Sequence, residues 1–154
     1  MFTILVVEDG DEYIDVLTRF VDGYRYIQVH SGTEAVHALQ TMPIDAIFLD
    51  MRFDRIERST LLGDHAALMQ THANDAERAW KFLEKNQGLY ILNAIYEANY
   101  GHLPVIISHD FSGQPTRQAH LKKTYPSLSW ISDTLTPASI RIHLNQVFLN
   151  PLMF

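Results

Sequence analysis

The chain has 154 residues and a mass of 17.7 kDa, enough for one domain with its own core and too little for two large ones. There is no cysteine, which excludes thiol catalysis, disulfides and cysteine-ligated metal, and a formal charge of −6 disfavours a nucleic-acid surface, because phosphate binding draws on clustered Lys and Arg. The longest apolar runs, such as Ile4 to Val7 and Ala46 to Leu49, fall far short of the ~20 residues that cross a bilayer, so the expectation is a cytoplasmic chain with no membrane and no DNA partner.

Short apolar runs alternate with segments of helical period, the signature of a parallel sheet covered on both faces. Ile4 to Val7 reads as a first buried strand and Glu8-Asp9-Gly10-Asp11 as a turn. Ile14, Leu17, Phe20 and Val21 then mark one face of a helix. Tyr26 to Val29 is a second strand. Ser31-Gly32-Thr33-Glu34 has the spacing of a capping box opening a helix that stops before Pro43. Asp45 to Asp50 is a third strand, Leu89 to Asn99 a helix, Pro104 to Ser108 a fourth strand and Gln114 to Tyr125 a polar helix. Leu128 to Ser132 is a fifth strand, and Thr136-Pro137 caps a last helix through Ile140, Leu144 and Val147.

One stretch breaks the rhythm. Residues 54–87 hold no strand, and their acids are matched by Arg55, Arg58, Arg78, Lys81 and Lys85. Leu61, Leu62, His65, Leu68, Met69 and His72 nevertheless recur at helical spacing, as do Ala76, Ala79, Trp80 and Leu83, so the stretch reads as an ordered insertion of one or two helices. His65 and His72 lie about 10 Å apart along a helix, too far to share one metal ion.

Functional groups of an open parallel sheet gather at the carboxyl ends of its strands. Glu8 and Asp9 follow the first strand and Asp50 ends the third. Three converging carboxylates repel one another unless a hard cation joins them. With the runs Ile4-Leu5-Val6-Val7-Glu8-Asp9, Ile47-Phe48-Leu49-Asp50-Met51, Gly88-Leu89 with Leu92, and Pro104-Val105-Ile106-Ile107-Ser108, the chain resembles a receiver domain of the response-regulator family, the aspartate phospho-acceptor module of two-component signalling. The resemblance covers all but the 54–87 insertion within a single domain of residues 1–154. It implies a flavodoxin-like α/β sandwich with a five-stranded parallel sheet in the order 2-1-3-4-5.

The resemblance also implies a site. Asp50 would accept a phosphoryl group from a histidine kinase or phosphotransfer protein, and Asp9, Asp50 and the backbone carbonyl of Arg52 would hold Mg²⁺, with Glu8 acting through water. Ser108 matches the hydroxyl that meets the phosphoryl group, and Trp130 the switch aromatic. Two positions depart from the pattern. Asp133 stands where the family carries a lysine, and no lysine follows Lys123; His109 replaces a very small residue. An anion in the place of a cation weakens phosphoryl binding, since two unit charges 4 Å apart interact by roughly 4 kcal/mol at an effective dielectric near 20.

The expected role is therefore a regulatory domain, not a conventional enzyme, whose output passes to a downstream protein. The insertion, hanging over the active face, serves as a lid, a docking surface or a homodimer contact. The apolar end, Pro151-Leu152-Met153-Phe154, either packs back on the domain or docks a partner. The alternative is a pseudo-receiver, a binding module acting independently of phosphorylation. An aspartate-nucleophile phosphohydrolase fits less well, because Arg52 stands where such enzymes place a second acid.

Overall fold

The apolar runs become strands because both of their faces are buried, and successive residues feed two separate cores. The computed structural model describes residues 1–132 and 136–149. Five strands, β1 (Phe2–Val7), β2 (Tyr24–Val29), β3 (Ala46–Asp50), β4 (Val105–Ser108) and β5 (Leu128–Ile131), form one parallel sheet in the order β2-β1-β3-β4-β5. Leu5, Val7, Ile47, Leu49, Val105 and Ile107 point into one core. Ile4, Val6, Ala46, Phe48 and Ile106 point into the other. This is the period of two that a strand imposes.

Helices cover both faces. On the first lie α2 (Gly32–Thr41), α5 (Gln87–Glu97) and α6 (Pro115–Thr124), contributing Ala35, Ala38, Leu39, Ile91, Leu92, Ile95 and Leu121. On the second lie α1 (Glu12–Phe20) and α7 (Pro137–Leu149), contributing Leu17, Ile140, Leu144 and Val147. The flavodoxin-like sandwich expected from the resemblance is the observed one. Ser31 caps α2 by accepting the Glu34 amide at 3.2 Å, while the Glu34 carboxylate accepts the His30 amide at 3.1 Å, one residue before the usual partner. At the other end of the chain the Thr136 hydroxyl accepts the Ser139 amide ahead of Pro137.

Some boundaries move. Strands β1 and β2 begin two residues earlier than their apolar runs, because Phe2 pairs with Tyr24 and Thr3 with Arg25 before the sheet is fully covered. Phe20, expected on the buried face of α1, is 53% exposed; Leu17 and Val21 carry that contact instead.

The insertion between β3 and α5 is ordered and helical. It comprises a 3-10 turn (Arg58–Thr60), α3 (His65–Thr71) and α4 (Ala76–Lys85). Asp64 caps α3 and Asp75 caps α4. Leu61 and Leu62 precede α3 rather than belonging to it. Leu61 is buried in the core, and Leu62 packs against it from the edge. Ala79 and Leu83 are the buried residues of α4, whereas α3 buries none. His65 stacks on Trp80 with centroids 3.8 Å apart, and His72 tilts against Phe82, so both histidines pack between the two insertion helices. The block is tied down at its root. Phe53 donates its amide to the Glu84 carbonyl at 2.9 Å, and the buried Gln87 side chain bonds both backbone groups of Leu62 and the Leu83 carbonyl. Arg58 grips Glu77 through two bonds of 2.7 Å.

The expectations placed on Asp133 and on Pro151-Leu152-Met153-Phe154 lie outside the described residues. Among the described residues no helix is long and apolar enough to cross a membrane.

Gly88, in the first turn of α5, sits directly on the end of β3: a Cβ there would lie 2.5 Å from the Asp50 carbonyl oxygen and 2.8 Å from the Met51 Cα. Both are backbone atoms of the strand that presents Asp50, so they cannot swing aside. Alanine favours an unconstrained helix by about 1 kcal/mol over glycine; here the clash reverses the sign. Gly88→Ala is expected to lose about 1–3 kcal/mol in urea unfolding, and a stabilised Gly88→Ala protein would show that α5 does not seat on β3.

Candidate functional site

Strand register brings the expected acids together. Val7 pairs with Leu49, and Asp50 pairs with Ser108, so Glu8, Asp9, Asp50 and Ser108 line adjacent carboxyl ends of β1, β3 and β4. Glu8, Asp50 and Ser108 continue the alternation of Val6, Phe48 and Ile106, which places their side chains on the side of the sheet covered by α1.

Each carboxylate has a different environment. Glu8 is 1% exposed and accepts the amides of Tyr13 at 3.0 Å and Ile14 at 2.8 Å, so it satisfies the first turn of α1. Burial raises its pKa, against the pull of those two amides. Asp50 accepts the Met51 amide at 2.8 Å. Its pKa is raised to about 7, chiefly by burial and then by the charges of Asp9 and Glu8, against the Met51 and Arg52 amides.

Asp9 is occupied by the insertion. Its Oδ2 accepts the amides of Asp54 and Arg55, each at 3.0 Å, and its Oδ1 accepts Arg55 Nη2 at 3.1 Å. The Asp9 side chain is 2% exposed beneath them. The same guanidinium forks onto Glu12, with Nη1 to Oε1 at 2.6 Å and Nη2 to Oε2 at 2.9 Å. That bond holds the Glu12 carboxyl down at about 2. Gly10 makes the arrangement possible, since a Cβ there would stand 2.3 Å from Arg55 Nη2.

Ser108 is buried, and its Oγ lies 2.7 Å from the Tyr13 hydroxyl, whose ring tilts on Phe48 with centroids 5.1 Å apart. Trp130 pairs with Ile107 and packs on the opposite core, so it stands on the other face of the sheet from Ser108. Its ring meets the edge of Phe111, which also receives His109 edge-on at 4.6 Å and Arg117 over its face. His109 donates its backbone amide to the Ile131 carbonyl, joining β4 to β5 at the mouth of the cleft. Arg52 lies in the loop leaving β3, with its exposed guanidinium 2.8 Å from Asp54.

The donor set of this conformation does not fit a divalent ion. Mg²⁺ asks for a near-octahedral set of oxygens, yet both Asp9 oxygens accept N–H groups and both Glu8 oxygens serve the α1 terminus. Among the described residues no three His, Asp or Glu side chains are arranged to hold a metal. The cation beside Asp9 is the Arg55 guanidinium. Sequence reasoning missed Arg55, Glu12 and Tyr13. Arg55 lies in a charge-balanced run with no motif, and Glu12 and Tyr13 read as ordinary positions of a first helix.

No protein-family model matches the chain, and no curated protein matches it. Solved structures do. The receiver domain of a Francisella response regulator matches at a TM-score of 0.64 and 16% identity, covering 98% of this chain and 99% of that one. The Vibrio cholerae chemotaxis protein CheY4 matches at 0.63 and 14%, covering 96% and 98%. A receiver domain of a Pseudomonas aeruginosa sensor histidine kinase, described with magnesium in its active-site cleft, matches at 0.52 and 19%, covering 94% and 95%. The strand order, the two-sided helical cover and the near-complete overlap with these structures give the chain the fold of CheY-like response-regulator receiver domains, with a helical block inserted between its third strand and the helix that follows.

Proposed function

We propose that the chain is a receiver domain in phosphorelay signalling that accepts a phosphoryl group at Asp50 and passes the signal on by protein–protein contact. The observation that carries this reading is the position of Asp50: last residue of the central strand β3, half-buried, with the β1 end that leads into Glu8 and Asp9 on one side and Ser108 directly across on the other. In the reaction an Asp50 carboxylate oxygen forms a bond to phosphorus while the donor's P–N or P–O bond breaks, the donor keeping the electron pair. The donor is a phosphohistidine of a kinase or phosphotransfer protein, or a small acyl phosphate. Such transfer depends on positioning and on neutralising the phosphoryl oxygens. In this reading Ser108, whose Oγ now bonds the Tyr13 hydroxyl, would turn to donate to one of them.

The domain is regulatory and acts on no separate substrate. The output surface is the face of α6, β5 and α7 or the insertion, offered to a downstream protein or to a second copy of the chain; DNA is not a partner. Magnesium, described for the Pseudomonas relative, belongs to this reading through Glu8, Asp9, Asp50 and the Arg52 carbonyl, but only in an arrangement where Arg55 has left Asp9. A pseudo-receiver is the second reading. It is favoured by the Arg55–Asp9 pair and by the lack of any lysine after Lys123.

Incubation with acetyl phosphate and Mg²⁺, followed by intact mass, is expected to give one phosphoryl adduct that Asp50→Asn abolishes. An unmodified wild-type protein would leave the pseudo-receiver.

The charge state of Asp50 gives a second prediction. Its carboxyl loses its proton near pH 4 in the unfolded chain and at about 7 in the fold. Between those values the native state holds a proton that the unfolded state has lost. The stabilisation from protonated Asp50 is therefore full below about pH 4 and lost as pH rises to about 7, by at most about 4 kcal/mol. Urea unfolding should find wild type and Asp50→Asn, which mimics the protonated acid, close in stability near pH 4, with wild type falling below the variant as pH rises to about 7 and levelling above it. A pH-independent difference would place Asp50 in a solvated site.

A further inference from the structure

Arg55 belongs to the segment that distinguishes this chain from a receiver of ordinary length, and every bond of its guanidinium goes to the receiver half of the cleft. We infer that Arg55 is a tethered cation that competes with a divalent ion for the acidic cleft, so that Mg²⁺ and the 53–57 strap exclude one another. The inference rests on the receiver reading of the cleft.

Four carboxylates meet there: Glu8, Asp9, Glu12 and Asp50. Among the described residues the Arg55 guanidinium reaches two of them, Asp9 and Glu12. It meets Asp9 from the solvent side, over Gly10, and closes the carboxylate off with its own amide and that of Asp54. A divalent ion needs the Asp9 Oδ1 that Arg55 Nη2 now occupies. Both cannot be accommodated, because guanidinium and ion would stand within bonding distance of one oxygen and repel each other.

The strap is built so that release is local. Its two ends are fixed, Phe53 buried and bonded to the Glu84 carbonyl and Leu61 buried in the core. Between them Arg55 is half exposed, and Glu12, its second partner, is 63% exposed. The exposed Arg55–Glu12 pair contributes little to stability; the bond to the buried Asp9 carboxylate is the one a divalent ion must displace, and neither α3 nor α4 takes part in it. The strap reaches Trp80 through Arg58. Arg58, three residues beyond Arg55, lies with its guanidinium carbon 5.9 Å from the Trp80 ring centroid. Cation occupancy of the cleft thus changes the surface of the insertion.

Titration with MgCl₂ alone, read by calorimetry and by Trp80 emission in a Trp130→Phe background, tests this in wild type, Arg55→Ala and Glu12→Gln. Arg55→Ala is expected to bind Mg²⁺ at least about tenfold tighter than wild type, with Glu12→Gln, which keeps the cation but loosens its outer tie, lying between. Trp80 emission should change on Mg²⁺ addition in wild type and change less in Arg55→Ala. Equal affinities in the three proteins, or no Mg²⁺ binding in any, overturn the inference. Glu12→Gln serves if Arg55→Ala does not fold. The acetyl phosphate experiment separates the two readings. An adduct in a protein whose Mg²⁺ affinity ignores Arg55 leaves the receiver standing without the competition, and tighter Mg²⁺ binding without an adduct does the reverse.

Discussion

Mutual repulsion among carboxylates at the carboxyl edge of the sheet is the constraint around which this molecule is arranged. Parallel pairing of β1, β3 and β4 buries their apolar runs, and it delivers Glu8, Asp9 and Asp50 to one place whatever their charges cost. Burial aggravates the problem, since a desolvated anion is poorly screened from its neighbours. Three answers are visible. Glu8 is turned into a cap for α1, Asp50 is pushed toward a protonated state near neutrality, and Asp9 is handed a guanidinium. The first is a permanent structural use. The other two, a proton and a guanidinium, are exchangeable partners.

The sheet and its helical cover were legible because burial of strands on both faces leaves continuous apolar runs that differ sharply from amphipathic helices. Strand order came from a resemblance, not from any residue pattern, since pairing order in a parallel sheet is set by crossovers that leave no local mark. The insertion was legible as helical from the spacing around Leu83 and from its matched charges, but the start of α3 was not. Leu61 and Leu62 have the right period, yet Asp64 caps the helix after them and leaves the two leucines to fill space beside the core and against Gly32. Phe20 failed because Val21, four residues after Leu17, takes the buried position that the spacing had also allowed to Phe20, three residues after it.

At the site, strand-end position was enough to find Asp50, Asp9, Glu8 and Ser108. What decides their chemistry was hidden. The Arg55–Asp9 pair spans 46 positions and the Tyr13–Ser108 bond 95, and neither has a spacing rule to announce it. Trp130 and His109 were placed by analogy with a family pattern. The fold gives them a shared neighbour, Phe111, that the pattern does not contain, and with it an aromatic joint linking the ends of β4 and β5 to Arg117 of α6.

The insertion is more than extra surface because of what reciprocity requires. If cation occupancy of the cleft shifts the position of the 53–57 strap, then anything that binds the strap in one position shifts cation affinity by the same factor. A protein that docked on α3, α4 and the strap with Arg55 seated would hold the cleft closed to metal. One that recruited Arg55 outward, for example by offering it an acidic side chain in place of Asp9, would open it. In this chain the insertion touches the cleft through one side chain, Arg55, which bonds Asp9 and Glu12 beside Asp50, so the proposed coupling would run through Asp9 rather than through the phospho-acceptor itself.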